Sequence, residues 1–238
     1  MRAESSREPS PPDHLPLVDE AADTAHAEVK PTWRGWIHAV TTPIAVVAGV
    51  VLIALAQGAE AKWACAVFAL TSLLLFGNSA LYHRVDWSPR VKLILKRIDH
   101  SNIFLLIAGT YTPLALLALP SGQGVPLLVV VWAGALLGVL FRVFWIGAPR
   151  WLYVPLYLAL GWVAVLYFPA MLAVDAAMMV LVAVGGLFYT VGAVAYGTKR
   201  PNPFPGRFGF HEVFHSCTVL AFLCHWTAIL LIALHPVA

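Results

Sequence analysis

Apolar residues in this chain are arranged in seven long runs that are separated by short polar breaks. Each run has about 20 residues, the length that an α-helix needs to cross the hydrocarbon core of a bilayer. The breaks are rich in Gly, Pro, Asn and Ser, which favour turns. The pattern therefore predicts seven transmembrane helices, at residues 36–56, 61–83, 98–119, 125–146, 151–171, 175–196 and 211–234.

Composition supports an all-α integral membrane protein. Hydrophobic residues make up 60% of the 238 residues and charged residues only 11%, whereas a soluble domain has roughly 25% charged residues. Residues 1–32 differ from the rest, because their Pro-rich, Ser-rich and acidic sequence cannot bury enough apolar surface to fold. We expect a disordered cytoplasmic tail at residues 1–32 and one seven-helix transmembrane domain at residues 33–238.

The distribution of basic residues predicts the orientation of the bundle. If the seven helices are correct, 14 of the 15 Lys and Arg residues lie on one side of the membrane, and only Lys62 lies on the other. Basic loops stay in the cytoplasm, so we expect a cytoplasmic N-terminus, an external C-terminus and a multi-pass location in the cell membrane. The net charge of +3 reflects this topology and not a nucleic-acid-binding surface.

This orientation argues against two familiar classes of seven-helix protein. A G-protein-coupled receptor has the opposite topology. A retinal protein needs a lysine in its last helix for the Schiff base, and no lysine lies between Phe210 and Ala238.

The last apolar run opens with a pair of histidines, His211 and His215, that lie four residues apart. On a helix this spacing places both imidazoles on one face, which is how a helix offers two ligands to one metal ion. Each histidine is also compatible with a core residue satisfied by hydrogen bonds. Ionisable groups at membrane depth are costly, however, and they usually serve a function.

The predicted topology brings further polar residues to the same membrane level. The second helix ends with Ser79 and His83, the third begins near Asp99, and the seventh begins with His211 and His215. Three neutral imidazoles and a water form a tetrahedral zinc site of the catalytic type, in which a nearby carboxylate can take a proton from the water.

Each of the other polar residues also has a simpler interpretation. His83 is compatible with an interfacial helix end, Asp99 with a helix N-terminal charge, and Ser79 with a bond to its own helix backbone. His225 lies about 15 Å further along its helix than His215, so we interpret it as a packed interior residue. The remaining apolar-run histidines are interpreted as interfacial, without a role: His38, His100 and His235.

Residues 211–215 also fit the H-E-x-x-H pattern of zinc metalloproteases, in which the glutamate is the general base. Taken alone, this pattern suggests an intramembrane protease with Glu212 as the base. No downstream acidic ligand motif accompanies it, and Asp99 already offers a base. Glu212 is equally compatible with a residue at the cytoplasmic edge.

Several motifs together resemble one known family, the hemolysin III branch of the progestin and adiponectin receptor family, within the alkaline ceramidase-like superfamily of membrane hydrolases. The matching pieces are Lys30-Pro with Arg34-Gly-Trp, Ser79-x-x-x-His83, Asp99-His-Ser, Gly109-Thr-Tyr-Thr-Pro113, and the Pro-rich stretch that runs from Pro201 to His215. The resemblance implies a seven-helix zinc protein with His83, His211 and His215 as metal ligands. It also implies that Asp99, with Ser79 beside it, holds the water at the metal.

These features predict a zinc-dependent hydrolase that acts on a lipid amide or ester reaching the site from the bilayer. The alternative is a pore-forming, cytolytic protein or a lipid-responsive receptor in which zinc is structural. A pore needs a polar route across the membrane, whereas the polar residues of this sequence concentrate at one level.

Overall fold

In a computed structural model, residues 31–236 are described, and they contain seven helices long and apolar enough to cross a membrane. The prediction of an all-α, seven-span membrane bundle is confirmed. The predicted tail lies outside the described residues except for its last two positions. The helices are α1 (Trp36–Leu55), α2 (Gly58–Arg84), α3 (Pro89–Ala118), α4 (Ser121–Phe144), α5 (Arg150–Val174), α6 (Ala176–Thr198) and α7 (Phe210–Leu234).

Helix α3 is the most buried of these seven helices and begins at Pro89, about nine residues before the predicted start. Proline fits the first turn of a helix, and the Arg and Lys residues that follow are good helix formers, although hydropathy excludes them from a membrane span. Asp99 therefore lies about 15 Å along α3. The interpretation of Asp99 as a charge at the N-terminus of this helix is wrong.

Close contacts and side-chain hydrogen bonds join α2 to α3. The side-chain amide of Asn102 donates to the carbonyl of Leu74 over 2.8 Å. Two turns further along α3, Gly109 lies directly against Thr71 of α2, with no room for a side chain at the glycine. Small residues of this kind let membrane helices approach closely, and the approach fixes α3 against the middle of α2.

Helix α5 is interrupted by a 3-10 segment, Trp162–Tyr167, which precedes Pro169. Proline removes a helical hydrogen bond and crowds the preceding turn. The Tyr111 hydroxyl of α3 donates to the Gly161 carbonyl over 2.8 Å and accepts from the Ala164 amide over 2.6 Å. Backbone groups at membrane depth need such partners, so Tyr111 stabilises the interruption.

Helix α7 packs between α1 and α6. The Trp226 indole donates to the Ala48 carbonyl of α1 over 2.9 Å, while Gly192 and Gly185 of α6 lie close against Cys217 and His225 of α7. The start of α1, the end of α2 and the start of α7 consequently meet at one end of the bundle, which is called the site end below.

Candidate metal centre

The structure brings together the three histidines predicted as metal ligands. His83 lies in the last turn of α2, and His211 and His215 lie in the first two turns of α7. One ring nitrogen of each lies within 4.8 Å of the other two. The ring centroids of His211 and His215 are 4.5 Å apart, as the spacing of four residues on one helix face requires.

The geometry of this three-histidine cluster fits zinc. Two nitrogen ligands at about 2.0–2.1 Å from a tetrahedral zinc ion lie about 3.3 Å apart, and 3.2 Å separates Nε2 of His211 from Nε2 of His83. A hydrogen bond between these two rings has the same length, but it leaves the converging ring of His215 unexplained. Three histidines are also the protein ligand set of some catalytic zinc sites.

Local hydrogen bonds set the start of α7 and hence the position of its two histidines. The Gly209 amide donates to Oε2 of Glu212 over 2.8 Å, and the Phe210 amide donates to Oδ1 of Asn202 over 2.9 Å. These bonds satisfy amides that the first helical turn cannot pair internally. The start of α7 is therefore fixed one residue before His211.

Glu212 does not belong to the cluster, although the H-E-x-x-H pattern suggests it. Its side chain is buried, with only 1% exposed, and its second carboxylate oxygen accepts from Nε of Arg34 over 2.6 Å. Among the described residues, the group within metal-binding distance contains three histidines and no carboxylate. The contacts of Glu212 fit the alternative interpretation, a residue at the end of the helix.

Asp99 and Ser79 line the same cavity as the three histidines. Ser79 lies close enough to Asp99 for its hydroxyl to interact with the carboxyl group. Asp99 is only partly buried, and it is not one of the three residues within metal-binding distance. The carboxyl group therefore belongs to the surroundings of the cluster, and its role in handling a proton stays a prediction.

The predicted location at the membrane interface is wrong for two histidines. His38 and His100, interpreted as interfacial, are both buried. The His38 ring stacks on that of His215, with centroids 3.8 Å apart and planes 8° from parallel. Nδ1 of His100 lies 2.9 Å from the Lys96 carbonyl oxygen. The available signal was the position of an ionisable ring inside an apolar run.

The other two assignments agree with the structure. His225 is buried deep in α7, where Nε2 lies 3.2 Å from the Val182 carbonyl oxygen. His235 is exposed after the end of α7.

The three-histidine cluster opens onto a cavity of about 850 Å³ that every helix except α4 helps to line. Polar residues surround the site end of the cavity, and its walls elsewhere include Leu114, Met179 and Val182. At the interruption of α5, Val165 and Phe168 line the cavity, and both side chains are exposed.

Fold and site together define a class, the seven-helix membrane proteins that carry a buried cluster of histidines at one end of an internal cavity. Residues 26–226 match the family described as Haemolysin-III related. The chain belongs to this family.

Curated relatives agree with this assignment. A protein of Bacillus subtilis (strain 168) named Hemolysin-3 homolog is 34% identical over 183 residues, which cover 75% of this chain and 83% of that protein. Hemolysin-3 of Bacillus cereus is 32% identical over 139 residues, or 58% of this chain and 63% of that protein. The ADIPOR-like receptor IZH2 of Saccharomyces cerevisiae (strain ATCC 204508 / S288c) is 41% identical over 54 residues, or 21% of this chain and 17% of that protein.

Proposed function

We propose that this protein is a zinc-dependent membrane hydrolase that cleaves a lipid amide or ester. The observation that carries the proposal is the position of the three-histidine cluster, His83, His211 and His215, at the polar end of a cavity with apolar walls. A lipid has the matching shape, with a polar carbonyl group at one end of a long apolar chain.

Each polar residue of the site has a distinct task in this proposal. The three imidazoles hold the ion and leave one position open. When bound, zinc polarises a carbonyl group and lowers the pKa of water. Asp99 accepts a proton and passes it to the leaving group, and the Ser79 hydroxyl orients the Asp99 carboxyl group for this transfer.

The cavity suits a substrate that arrives from the bilayer. Its volume of about 850 Å³ lies in the range of about 300–1,000 Å³ that is usual for ligand sites. In this proposal the carbonyl group lies at the histidines and the acyl chain lies along Leu114, Met179 and Val182. In this proposal the chain enters the cavity past Val165 and Phe168, at the interruption of α5.

The names of the relatives favour a second candidate. Two relatives are named as hemolysins and one as a receptor, so a cytolytic or receptor protein with structural zinc is the alternative. In that case the cavity holds a ligand or lines part of a conduction route. The role of Asp99 distinguishes the two candidates, because only hydrolysis needs its proton transfer.

Asp99→Asn tests the proposal. The amide keeps the shape of the carboxyl group but cannot take up a proton, so zinc content should stay at the wild-type level while turnover falls by about 10²–10⁴-fold. The measurements are elemental zinc, hydrolysis of a panel of long-chain N-acyl amides and acyl esters by purified protein, and lysis of lipid vesicles. Full turnover in Asp99→Asn contradicts the mechanism. Undiminished lysis by a variant that hydrolyses no lipid supports the cytolytic alternative.

A further inference from the structure

The residues that lead into α1 contact the surroundings of all three clustered histidines. This lead-in segment, residues 34–38, consists of two turn residues before α1 and the first three residues of that helix. Arg34 pairs with Glu212, the neighbour of His211. The Arg84 guanidinium, next to His83, lies 4.1 Å from the centre of the Trp36 ring. One segment thus touches both helices that carry the ligands.

Gly35 brings the backbone of the lead-in segment directly against His83. Its φ of 81° lies in the left-handed region, which residues with a side chain rarely adopt. A Cβ atom at this position meets Cβ of His83 at 2.7 Å, closer than such atoms can pack. The position therefore requires glycine for two reasons, the backbone conformation and the contact with a ligand residue.

His38 provides the most direct contact, because its ring lies on the ring of His215. The two rings are nearly parallel, with centroids 3.8 Å apart. The Phe76 ring packs nearly perpendicular to the His38 ring, with centroids 5.1 Å apart. A flat ring on one face of the His215 imidazole restricts rotation of that imidazole about its Cβ–Cγ bond. Ligand orientation at metal sites commonly depends on such outer contacts.

The stack excludes His38 from direct coordination. A metal ion bound by His215 lies close to the plane of that ring, at about 2.0–2.1 Å from the nitrogen. The ring of His38 occupies a parallel plane at van der Waals distance, roughly 3.5 Å away, so its nitrogens cannot reach the ion without breaking the stack. This agrees with the composition of the group within metal-binding distance, which omits His38.

We propose that His38 is a positioning residue of the metal centre, which fixes the plane of the His215 imidazole by stacking on it. The lead-in segment as a whole holds the ends of α2 and α7 in register, with Gly35 against His83 and Arg34 on Glu212. Stacking also favours the metal-bound state, because a cation draws electron density from the His215 ring and the facing π-system stabilises the resulting positive charge. The inference rests on the proposed metal site and is independent of hydrolysis.

Two substitutions of His38 test the role of the flat ring. His38→Phe keeps a planar ring in the stack, and His38→Leu keeps an apolar side chain of similar burial without one. Affinities for Zn²⁺ and Co²⁺ are measured on the full-length protein in detergent by competition with a chelator. The absorption spectrum of the Co²⁺ form reports the ligand geometry separately from activity. His225→Leu, at a buried histidine outside the group within metal-binding distance, is the matched control.

His38→Phe should bind both ions as the wild type does, with the same Co²⁺ spectrum. His38→Leu should lose about 10–100-fold in affinity, the usual cost of removing an outer contact of a metal ligand, and its Co²⁺ spectrum should change. His225→Leu should match the wild type in both readouts. If His38→Leu does not accumulate, the phenylalanine variant decides alone, because weakened binding in it contradicts a role by stacking.

Two results overturn the inference while leaving the metal site intact. One is wild-type affinity and spectrum in His38→Leu, and the other is an equal loss in the phenylalanine and leucine variants, which assigns the role to the ring nitrogens. A wild type that binds neither ion overturns the metal site and the inference with it. Absence of lipid hydrolysis by a metal-loaded wild type counts against the proposed function alone.

Discussion

At the residue scale, Glu212 matches a catalytic sequence motif but has structural contacts instead of contacts at the metal centre. It occupies the glutamate position of an H-E-x-x-H pattern, but its two oxygens are taken by the Gly209 amide and the Arg34 guanidinium. Both partners hold the carboxylate at the start of α7, and among the described residues the group within metal-binding distance contains no carboxylate. The side chain serves the start of α7 instead of the reaction.

Glu212→Gln should consequently lower stability without removing the metal. Glutamine can still accept from the Gly209 amide, but the buried charge that pairs with Arg34 is lost, which should cost about 1–3 kcal/mol in the free energy of unfolding. Thermal unfolding of the purified variant, zinc analysis and lipid turnover check this expectation. Loss of turnover at full zinc content and normal stability contradicts it and supports the protease interpretation.

His38 marks the limit of what the residue pattern could predict. The pair His211 and His215 was recognisable because both lie on one helix, and His83 and Asp99 followed from the order of the helices. The partner of His38 lies on another helix at the far end of the chain, so no spacing rule connects the two. The position of His38 inside an apolar run was a signal of burial, but it did not reveal which ring His38 packs against.

At the element scale, the lead-in segment links the start of α1 to the ligand-bearing helices. The two residues just before this segment pair with the loop before α7, because the Thr32 and Trp33 amides donate to the Gly206 and Arg207 carbonyls, each over 3.3 Å. The sequence predicted where the helices lie, but not this pairing of two connecting segments. Hydropathy likewise missed the first three turns of α3, since charged residues continue that helix beyond the apolar run.

Gly35→Ala should disturb both stability and metal binding. A side chain at a left-handed position costs about 1–2 kcal/mol, and here it also meets Cβ of His83 at 2.7 Å. Gly58→Ala is the matched control, because Gly58 has a similar φ of 86° but nothing within 4 Å of a Cβ atom. Thermal unfolding with and without zinc should show the larger loss for Gly35→Ala, and lowered metal affinity for that variant alone. Equal effects of the two substitutions contradict the contact with His83.

At the scale of the whole molecule, the basic residues predict which end of the bundle faces the cytoplasm. The residues predicted on the cytoplasmic side include those around the site end, where α1 begins, α2 ends and α7 begins. The membrane bundle follows from hydropathy and length, as the sequence predicted. The shape of the cavity does not, because it depends on the interruption of α5 and on the Tyr111 hydroxyl bound across it.

We expect the site end to face the cytoplasm, with the N-terminus inside and the C-terminus outside. The reason is the retention of Lys-rich and Arg-rich loops on the cytoplasmic side. Fusions to a reporter that is active only outside the cytoplasm should be active at the C-terminus and inactive in the connection between α2 and α3. The reverse pattern contradicts the orientation and places the metal centre at the external face.

Zinc content of the purified protein tests the three-histidine metal centre most directly. Gently purified wild type should contain about one zinc per chain, because three imidazoles that converge within metal-binding distance are the ligand set of zinc sites with one open position. His211→Ala and His215→Ala should lose the metal or bind it far more weakly, and His83→Ala should weaken it. Elemental analysis after chelator treatment and reloading with Zn²⁺ gives the stoichiometry. A folded wild type that contains no zinc and takes none up contradicts the metal centre.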